Sequence, residues 1–404
     1  MDYQLTDLNV LYNAYLASMK GSAWKVEPQK FEIDFLSEIV KLKHELEAKS
    51  YKTLPGTEFT LNERGKVRHI HGARMRDRVV RHALCDYFLN PSLKKYLIYN
   101  NGASQKGKGL TFSRNQFERD LHNYWMKYRT NEGYIGFIDI SKFYDNIRHD
   151  LVKELVFPKI DEDIHWLLND ILSSFEIDVS YMTDEEYANC LDRKFDSVQY
   201  YDEIPIEMRT GEKYMAKSVD IGDQVSQDIG VFVPTRIDTY VKMVRGCRWY
   251  GRYMDDMYII CSDKKELESI IEGIVNEAKA LGFFINKRKT HIAKLSDTFC
   301  YLQIKYSLKS NGGIIKRINP KSVTRERKRL KAYKRLMDNG MMHYNDIEAA
   351  TKSWMGGYAK IMSKAQIKNM KALYSTLFGK ELIWKRQLSL KTERASKHKR
   401  MVAA

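Results

Sequence analysis

The tetrapeptide Tyr253-Met254-Asp255-Asp256 lies between two strand-like runs, and that position leaves few folds open to the chain. Cys247-Arg248-Trp249-Tyr250-Gly251-Arg252-Tyr253 and Met257-Tyr258-Ile259-Ile260-Cys261 are rich in aromatic and β-branched residues, with the aspartates at the turn between them. The pattern predicts a β-hairpin with acid at its tip. Upstream, Tyr134-Ile135-Gly136-Phe137-Ile138 is a continuous apolar run of the kind found in a strand buried on both faces, and Asp139 follows at its exit. Aspartate is also a common turn residue, so an acidic turn on a solvated surface is the plain alternative. Strand-like flanks on both sides and a second acidic strand end upstream favour a site. Carboxylates on rigid strands suit Mg²⁺, which takes oxygen ligands and keeps positions open for phosphates. Two such ions about 3.5–4 Å apart serve in-line displacement at phosphorus.

Further motifs follow in an order that carries a resemblance. Phe137-Ile138-Asp139-Ile140-Ser141-Lys142-Phe143-Tyr144-Asp145-Asn146-Ile147 resembles the first palm motif of bacterial reverse transcriptases, and Tyr253 to Asp256 resembles their metal-binding hairpin. Gly65-Lys66-Val67-Arg68-His69-Ile70 and Asp77-Arg78-Val79-Val80-Arg81-His82-Ala83-Leu84 resemble the fingers segments that grip the incoming triphosphate. Ile221-Gly222-Asp223-Gln224-Val225-Ser226-Gln227 is similar to the motif that packs against the nascent base pair. Leu281 to Thr290 resembles the segment after the palm helix, and Phe299-Cys300-Tyr301-Leu302-Gln303 the primer grip. The resemblance covers residues 50–310 and implies an α+β right-hand polymerase with helical fingers, a ferredoxin-like palm sheet and a helical thumb. Its implied divisions are fingers over 1–130, palm over 131–175, an insertion over 176–218, palm with catalytic hairpin and primer grip over 219–312, thumb over 313–384, and a basic tail over 385–404.

The same resemblance implies roles. Asp139, Asp255 and Asp256 are the expected catalytic carboxylates, the first two as direct ligands of two Mg²⁺ ions and Asp256 as a weaker partner. Ile140 is grouped with them in the metal set, and Mn²⁺ is an expected substitute. Tyr144, five residues past Asp139, matches the bulky side chain beneath the sugar that rejects a ribose hydroxyl, which makes dNTPs the expected substrates. Phe143 is read as a core aromatic. Arg68 and Arg78 are triphosphate candidates because a planar fork matches phosphate oxygens, although either could be a solvated surface arginine. Gln227 joins the nucleotide set. Lys289 matches the position proposed to protonate the pyrophosphate leaving group. Tyr301 and Leu302 are the expected primer grip.

Charge supports a polyanionic partner. The 404 residues carry 68 Lys and Arg against 52 Asp and Glu, a formal charge of +16, and such an excess binds phosphate backbones in a salt-dependent way. The charge is clustered. Lys321, Arg325, Arg327, Lys328, Arg329, Lys331 and Lys334 accompany Leu330, Tyr333, Leu336 and Met337 at spacings that suit one helix face, read as a backbone-tracking thumb. Arg325, Lys328, Arg329 and Lys331 are its expected nucleic-acid contacts. Lys385 to Arg400 is read as a basic tail, disordered or ordered by RNA. No apolar run approaches a membrane span and the first residues do not resemble a signal peptide, so no membrane and a cytoplasmic location are expected. Five widely spaced cysteines support neither a disulfide framework nor a zinc site and read as small buried hydrophobes.

Elsewhere, residues 1–130 read as mainly helical with a basic hairpin around Phe59 to Ile70, its turn at Asn62 to Gly65. Asp263 reads as a helix cap with Glu266 completing a capping box. Leu267, Ile270, Ile271, Ile274, Val275, Ala278 and Leu281 then form a core stripe that Gly282 ends, and Phe283-Phe284-Ile285 completes a split βαβ unit. Asp178 to Lys213 is acidic and tyrosine-rich, and reads as a surface elaboration that docks a partner protein or the chain's own basic thumb. Ser353-Trp354-Met355-Gly356-Gly357-Tyr358 reads as a packing element between helices.

Within the family, Ile221-Gly222 and Ser226-Gln227 stand where group II intron enzymes carry Gln-Gly and Ser-Pro, and the thumb lacks the Val-Thr-Gly of retron enzymes. The pattern is similar to that of diversity-generating and defence-associated bacterial enzymes. Asp228 to Pro234 lacks the Ala-Asn pair of the diversity-generating class, which tilts the reading to defence. The expectation is a bacterial or phage-encoded enzyme that makes cDNA from a dedicated structured non-coding RNA, with an accessory protein or a homo-oligomer as a further partner. Three alternatives stay open: a diversity-generating enzyme with an accessory protein, a template-independent or protein-primed DNA polymerase, and a catalytically silent RNA-binding module.

Overall fold

A computed structural model describes residues 4–63, 65–198 and 204–384 of the chain. The basic tail from Lys385 and the acidic run Tyr200 to Glu203 lie outside the described residues. Contacts divide the chain into two compact units, Met1–Tyr124 with Glu132–Lys294, and Trp125–Asn131 with Leu295–Ala404.

In the first unit the helices Leu8–Met19, Val26–Ile33, Phe35–Glu47 and Met75–Leu84 bury their apolar faces on one another. Leu11, Leu42, Val79, Val80 and Leu84 are almost fully enclosed and belong to the same core as the sheet residues Ile138, Ile140 and Ile259. The basic hairpin forms from β1 (Thr57–Glu63) and β2 (Lys66–Gly72) with Glu63 opposite Lys66, so Asn62 and Glu63 belong to the strand rather than to the turn.

The central sheet is built on β3 (Tyr134–Ser141), which runs past Asp139 instead of ending at it. A short pair, β4 (Ile177–Asp178) and β5 (Tyr214–Met215), closes the base of the acidic insertion. The expected hairpin forms from β6 (Trp249–Tyr253) and β7 (Asp256–Cys261), and β8 (Phe284–Ile285) and β9 (His291–Lys294) follow. Strand order is β6-β7-β3-β8, with β9 also paired to β3. Every pairing is antiparallel, so β7 and β8 run parallel with β3 between them. The helix Lys264–Ala280 joins those two strands, which gives the split βαβ unit.

That helix packs the sheet through Leu267, Ile270, Ile274 and Ala278, while Val275 is 39% exposed and leaves the stripe. A side chain at Gly136 would meet Ile271 at 3.0 Å and Leu267 at 3.2 Å, so glycine lets the helix sit close to β3. Asp263 caps the helix as expected, but no box forms: the Glu266 carboxylate accepts the Cys261 thiol at 3.1 Å instead. At the other end Phe283 donates to the Ala278 carbonyl and Gly282, at φ +74°, to that of Lys279, the paired bonds of a Schellman stop.

The insertion has its own small core of Ile177, Val179, Met182, Phe195 and Met215. Its helix, Asp184–Asp192, starts with a capping box between Thr183 and Glu186. The acid is partly spent internally, Asp184 on Lys213 and Asp178 on Ser180 and the Gly211 amide.

The second unit holds a three-stranded sheet, β10 (Phe299–Tyr301), β11 (Ile304–Leu308) and β12 (Ile314–Ile318), and the helices Pro320–Asp338, Tyr344–Tyr358 and Lys364–Phe378. Residues 295–312, grouped with the palm by sequence, pack here. On the basic helix Leu330 is buried with Tyr333 and Met337 against the core, but Leu336 is 36% exposed and lies off that face. Ser353 to Tyr358 lies inside the helix Tyr344–Tyr358 rather than between helices, with Trp354 packed on the core. All five cysteines are free thiols, and Cys300 is exposed instead of buried. Among the described residues no helix is long and apolar enough to cross a membrane.

Candidate active site

Strand register brings the acids together. Asp139 lies directly opposite Asp256 across the β3–β7 ladder, and Asp255 is at the adjoining hairpin tip. Tyr253 pairs with Asp256, which leaves Met254 and Asp255 as a two-residue loop with Met254 at φ +59°. A positive φ at that loop position ordinarily selects glycine. Methionine is held there by its surroundings. Arg252, with 0% of its side chain exposed, donates from Nη1 to the Met254 carbonyl at 3.2 Å and from Nη2 to the Val231 carbonyl at 2.8 Å. The same guanidinium grips Asp238, Nη2 to Oδ2 at 2.6 Å and Nε to Oδ1 at 2.9 Å, while the Tyr250 hydroxyl donates to Asp238 at 2.6 Å. Gly230 leaves room beside the tip: a Cβ there would lie 3.2 Å from Met254 Sδ and 3.3 Å from Phe143.

The electrostatics show strain among like charges. Asp139 is 4% exposed; its Oδ2 accepts from Lys289 Nζ, and its buried Oδ1 has no hydrogen-bond partner. Asp255 is pushed above the usual carboxylate range by loss of solvent and then by Asp139. Asp256, whose residue keeps an exposed surface, is raised by loss of solvent and then by Asp255 and Asp139. Lys289 and Lys66 pull both the other way. Carboxylates held together against their own repulsion, one with an orphaned buried oxygen, are a donor set that suits a hard divalent cation. Among the described residues no three His, Cys, Asp or Glu side chains enclose a metal by themselves. The Ile140 side chain is buried in the core, which leaves its backbone carbonyl as its one possible ligand atom.

Other expected residues separate into two groups. Tyr144 opens a short 3₁₀ turn, Tyr144–Asn146, and its hydroxyl points at Met254 Sδ, 3.6 Å away. Burial and the charge of Asp255 raise its phenol, and Arg68 opposes them, so all three share one neighbourhood. Phe143 is buried as expected. Arg78 is engaged elsewhere: it donates to the Ser18 carbonyl and to Ser22 Oγ on the wall of a cleft of about 1580 Å³. Gln227 lines the same cleft, its side-chain oxygen accepting from Ser104 Oγ at 2.9 Å. Tyr301 and Leu302 belong to the second unit, Tyr301 buried and Leu302 at φ +42° in the β10–β11 turn. On the basic helix Arg325, Lys328, Arg329 and Lys331 are exposed, with Arg329 paired to Glu326 at 2.6 Å.

Two participants escape the sequence reading. Lys66 acts on both hairpin aspartates, and its signal was available, since Lys66 and Arg68 alternate onto one face of β2. The Arg252–Asp238 pair also had half a signal, a lone arginine in a strand otherwise apolar and aromatic, which must find a buried counter-charge.

The reverse transcriptase (RNA-dependent DNA polymerase) family profile matches residues 62–306. The chain belongs to this family. The matched span includes every palm residue described above, and reverse transcriptases as a family work with divalent metal ions. No curated protein sequence matches the chain. A solved structure of telomerase from Candida albicans, in complex with a fragment of telomeric RNA, is similar with a TM-score of 0.43 and 10% identity, over 81% of this chain. The chain spans 55% of that telomerase chain, a likeness too loose to carry function across.

Proposed function

We propose that the chain is an RNA-directed DNA polymerase that makes cDNA from a dedicated structured non-coding RNA, in the service of anti-phage defence. The observation that carries the polymerase reading is the register of Asp139 against Asp256, with Asp255 at the adjoining tip and one buried Asp139 oxygen unpartnered. Asp139 and Asp255 would hold two Mg²⁺ ions, with Asp256 and the Ile140 carbonyl beside them; bound there, the metal would activate the primer 3′-hydroxyl and stabilise the leaving phosphates. Lys289, which donates to Asp139, would hand a proton to the departing pyrophosphate, and Lys66 and Arg68 on β2 would neutralise the triphosphate. Tyr144, packed under the hairpin tip, sets the floor on which the sugar lies. The exposed basic helix would track the RNA backbone through Arg325, Lys328, Arg329 and Lys331, and Tyr301 and Leu302 would steady the primer.

The defence role rests on the sequence pattern around Ile221 to Pro234 and on the acidic insertion. Asp255→Asn is expected to reduce DNA synthesis about 10³-fold, on the order of 4 kcal/mol of barrier, while RNA binding stays intact. Synthesis by Asp255→Asn at the wild-type rate overturns the assignment. Sequencing of RNA and DNA that co-purify with the protein identifies the template, and recovery of random cellular RNA alone overturns the dedicated-template reading.

A further inference from the structure

The acidic insertion does something other than decorate the surface. Its segment Phe195-Asp196-Ser197 lies along the segment that carries Tyr144. The Phe195 amide donates to Asn146 Oδ1 at 2.8 Å, and Asn146 Nδ2 donates to the Phe195 carbonyl at 3.2 Å. Ser197 Oγ donates to Asp145 Oδ1 at 2.9 Å, and Lys142 Nζ pairs with Asp196 at 2.8 Å. Asp145, Asn146, Phe195 and Ser197 are all buried. Lys142, at the start of the turn, adopts φ +47°, a conformation a lysine keeps only when its surroundings impose it.

The segment that leaves the insertion, Ala216 to Val219, holds the same turn by its backbone. Val219 donates to the Tyr144 carbonyl at 3.1 Å, Ser218 to the Ile147 carbonyl at 2.9 Å, and His149 to the Ala216 carbonyl at 3.1 Å. Both grips are anchored to the insertion's body by Lys217. Its ammonium, fully buried, donates to the carbonyls of Cys190, Leu191 and Arg193 at the C-terminal end of the helix Asp184–Asp192. Cations at a helix C-terminus are favoured by the carbonyls left unpaired there.

We infer that the insertion is a brace for sugar selection, with Asn146, Asp196 and Ser197 as positioning residues that fix the height of Tyr144 beneath the incoming nucleotide. The inference rests on the reading of Tyr144 as the residue that faces the sugar. A turn held by two segments cannot sink when a ribose 2′-hydroxyl presses on the ring; a turn released by one of them can. A displacement below 1 Å suffices for a tenfold effect, because a full 1 Å misplacement can change rates by about 10²-fold.

The test is the ratio of kcat/KM for a deoxynucleotide to that for its ribonucleotide, on a synthetic RNA template with an annealed DNA primer. Ser197→Ala is expected to lower that ratio about tenfold while kcat/KM for the deoxynucleotide changes by less than about threefold. Ser197→Thr, which keeps the hydroxyl, should restore it. Asp196→Asn, in a half-exposed ion pair whose loss spares the fold, should lower the ratio in the same direction, and serves if Ser197→Ala does not fold. Tyr144→Ala with Ser197→Ala should discriminate no worse than Tyr144→Ala alone, since both act through one ring. Tyr144→Ala that discriminates like the wild type overturns the sugar-facing role itself. If Tyr144→Ala loses discrimination while folded Ser197→Ala and Asp196→Asn retain it, only the brace is overturned.

Discussion

The buried pair beneath the hairpin offers the sharpest check on how this site is held. Asp238→Ala removes the acceptor of three Arg252 hydrogen bonds, at 2.6, 2.9 and 3.1 Å, and of the Tyr250 hydroxyl. Arg252 and Asp238 have 0% and 1% of their side chains exposed, so bulk solvent does not reach the pair. A charge left alone in that position costs about 3–5 kcal/mol, a large share of the roughly 5–15 kcal/mol by which domains are stable. At about 2–4 °C per kcal/mol for a unit of this size, the thermal midpoint should fall on the order of 10 °C. Circular dichroism melts measure it directly. Removing the arginine as well, in Asp238→Ala with Arg252→Met, should recover part of the loss, because the penalty belongs to the stranded charge rather than to the missing attraction. Polymerisation measured well below the midpoint should still fall about tenfold or more, since the Met254 carbonyl loses its anchor and the tip carries Asp255. A loss under about 1 kcal/mol for Asp238→Ala, or a double variant no more stable than the single, refutes the reasoning.

Three further outcomes follow from the same geometry. Gly230→Ala inserts a carbon 3.2 Å from Met254 Sδ and 3.3 Å from Phe143; it should cost about 1–3 kcal/mol and slow synthesis, as chemical denaturation and primer extension would show. Asp145 is raised to about 6, by burial first and by Asp196, against the pull of Ser197 and Lys142. Its folded value lies above the unfolded one, so the native state binds more protons from pH 4 to 6 and stability declines across that window. Asp145→Asn should lack this decline when melts at pH 4.5 and pH 7 are compared, and an identical pH profile contradicts the assignment. RNA affinity should fall steeply with salt, and Lys328→Ala should flatten the log–log slope by about 0.7–0.9 if that side chain meets a phosphate.

Much of the palm is legible in the sequence, because its signals are local. Continuous apolar runs marked the strands, Asp255 marked the turn although Asp256 beside it opens β7, and Asp263 with Gly282 bracketed the helix between them. What was hidden depends on partners far along the chain. Glu266 has the spacing for a capping box, yet a thiol five residues back offers its proton and wins the carboxylate. Asp139 looked like a strand end because the apolar run changes character there, whereas Ile140 and Ser141 continue the ladder by pairing with Ile285 and Phe284. Arg78 sits in a stretch that resembles a phosphate grip, but the helix Leu8–Met19 ends within reach and its Ser18 carbonyl takes the guanidinium. The insertion's grip on Tyr144 joins Asn146 to Phe195, 49 residues apart, a distance no periodicity reports.

The ammonium of Lys289 resting on Asp139 has a consequence for how the protein reaches its working state. With Lys66 adding its field, the acidic corner comes already furnished with positive charge from its own chain. The repulsion among the three aspartates is therefore eased within the chain itself, by side chains rather than by a bound ion. On the function proposed above, a metal bound by these carboxylates would take the place of the Lys289 ammonium, and the lysine so released would be free to meet the nucleotide's phosphates.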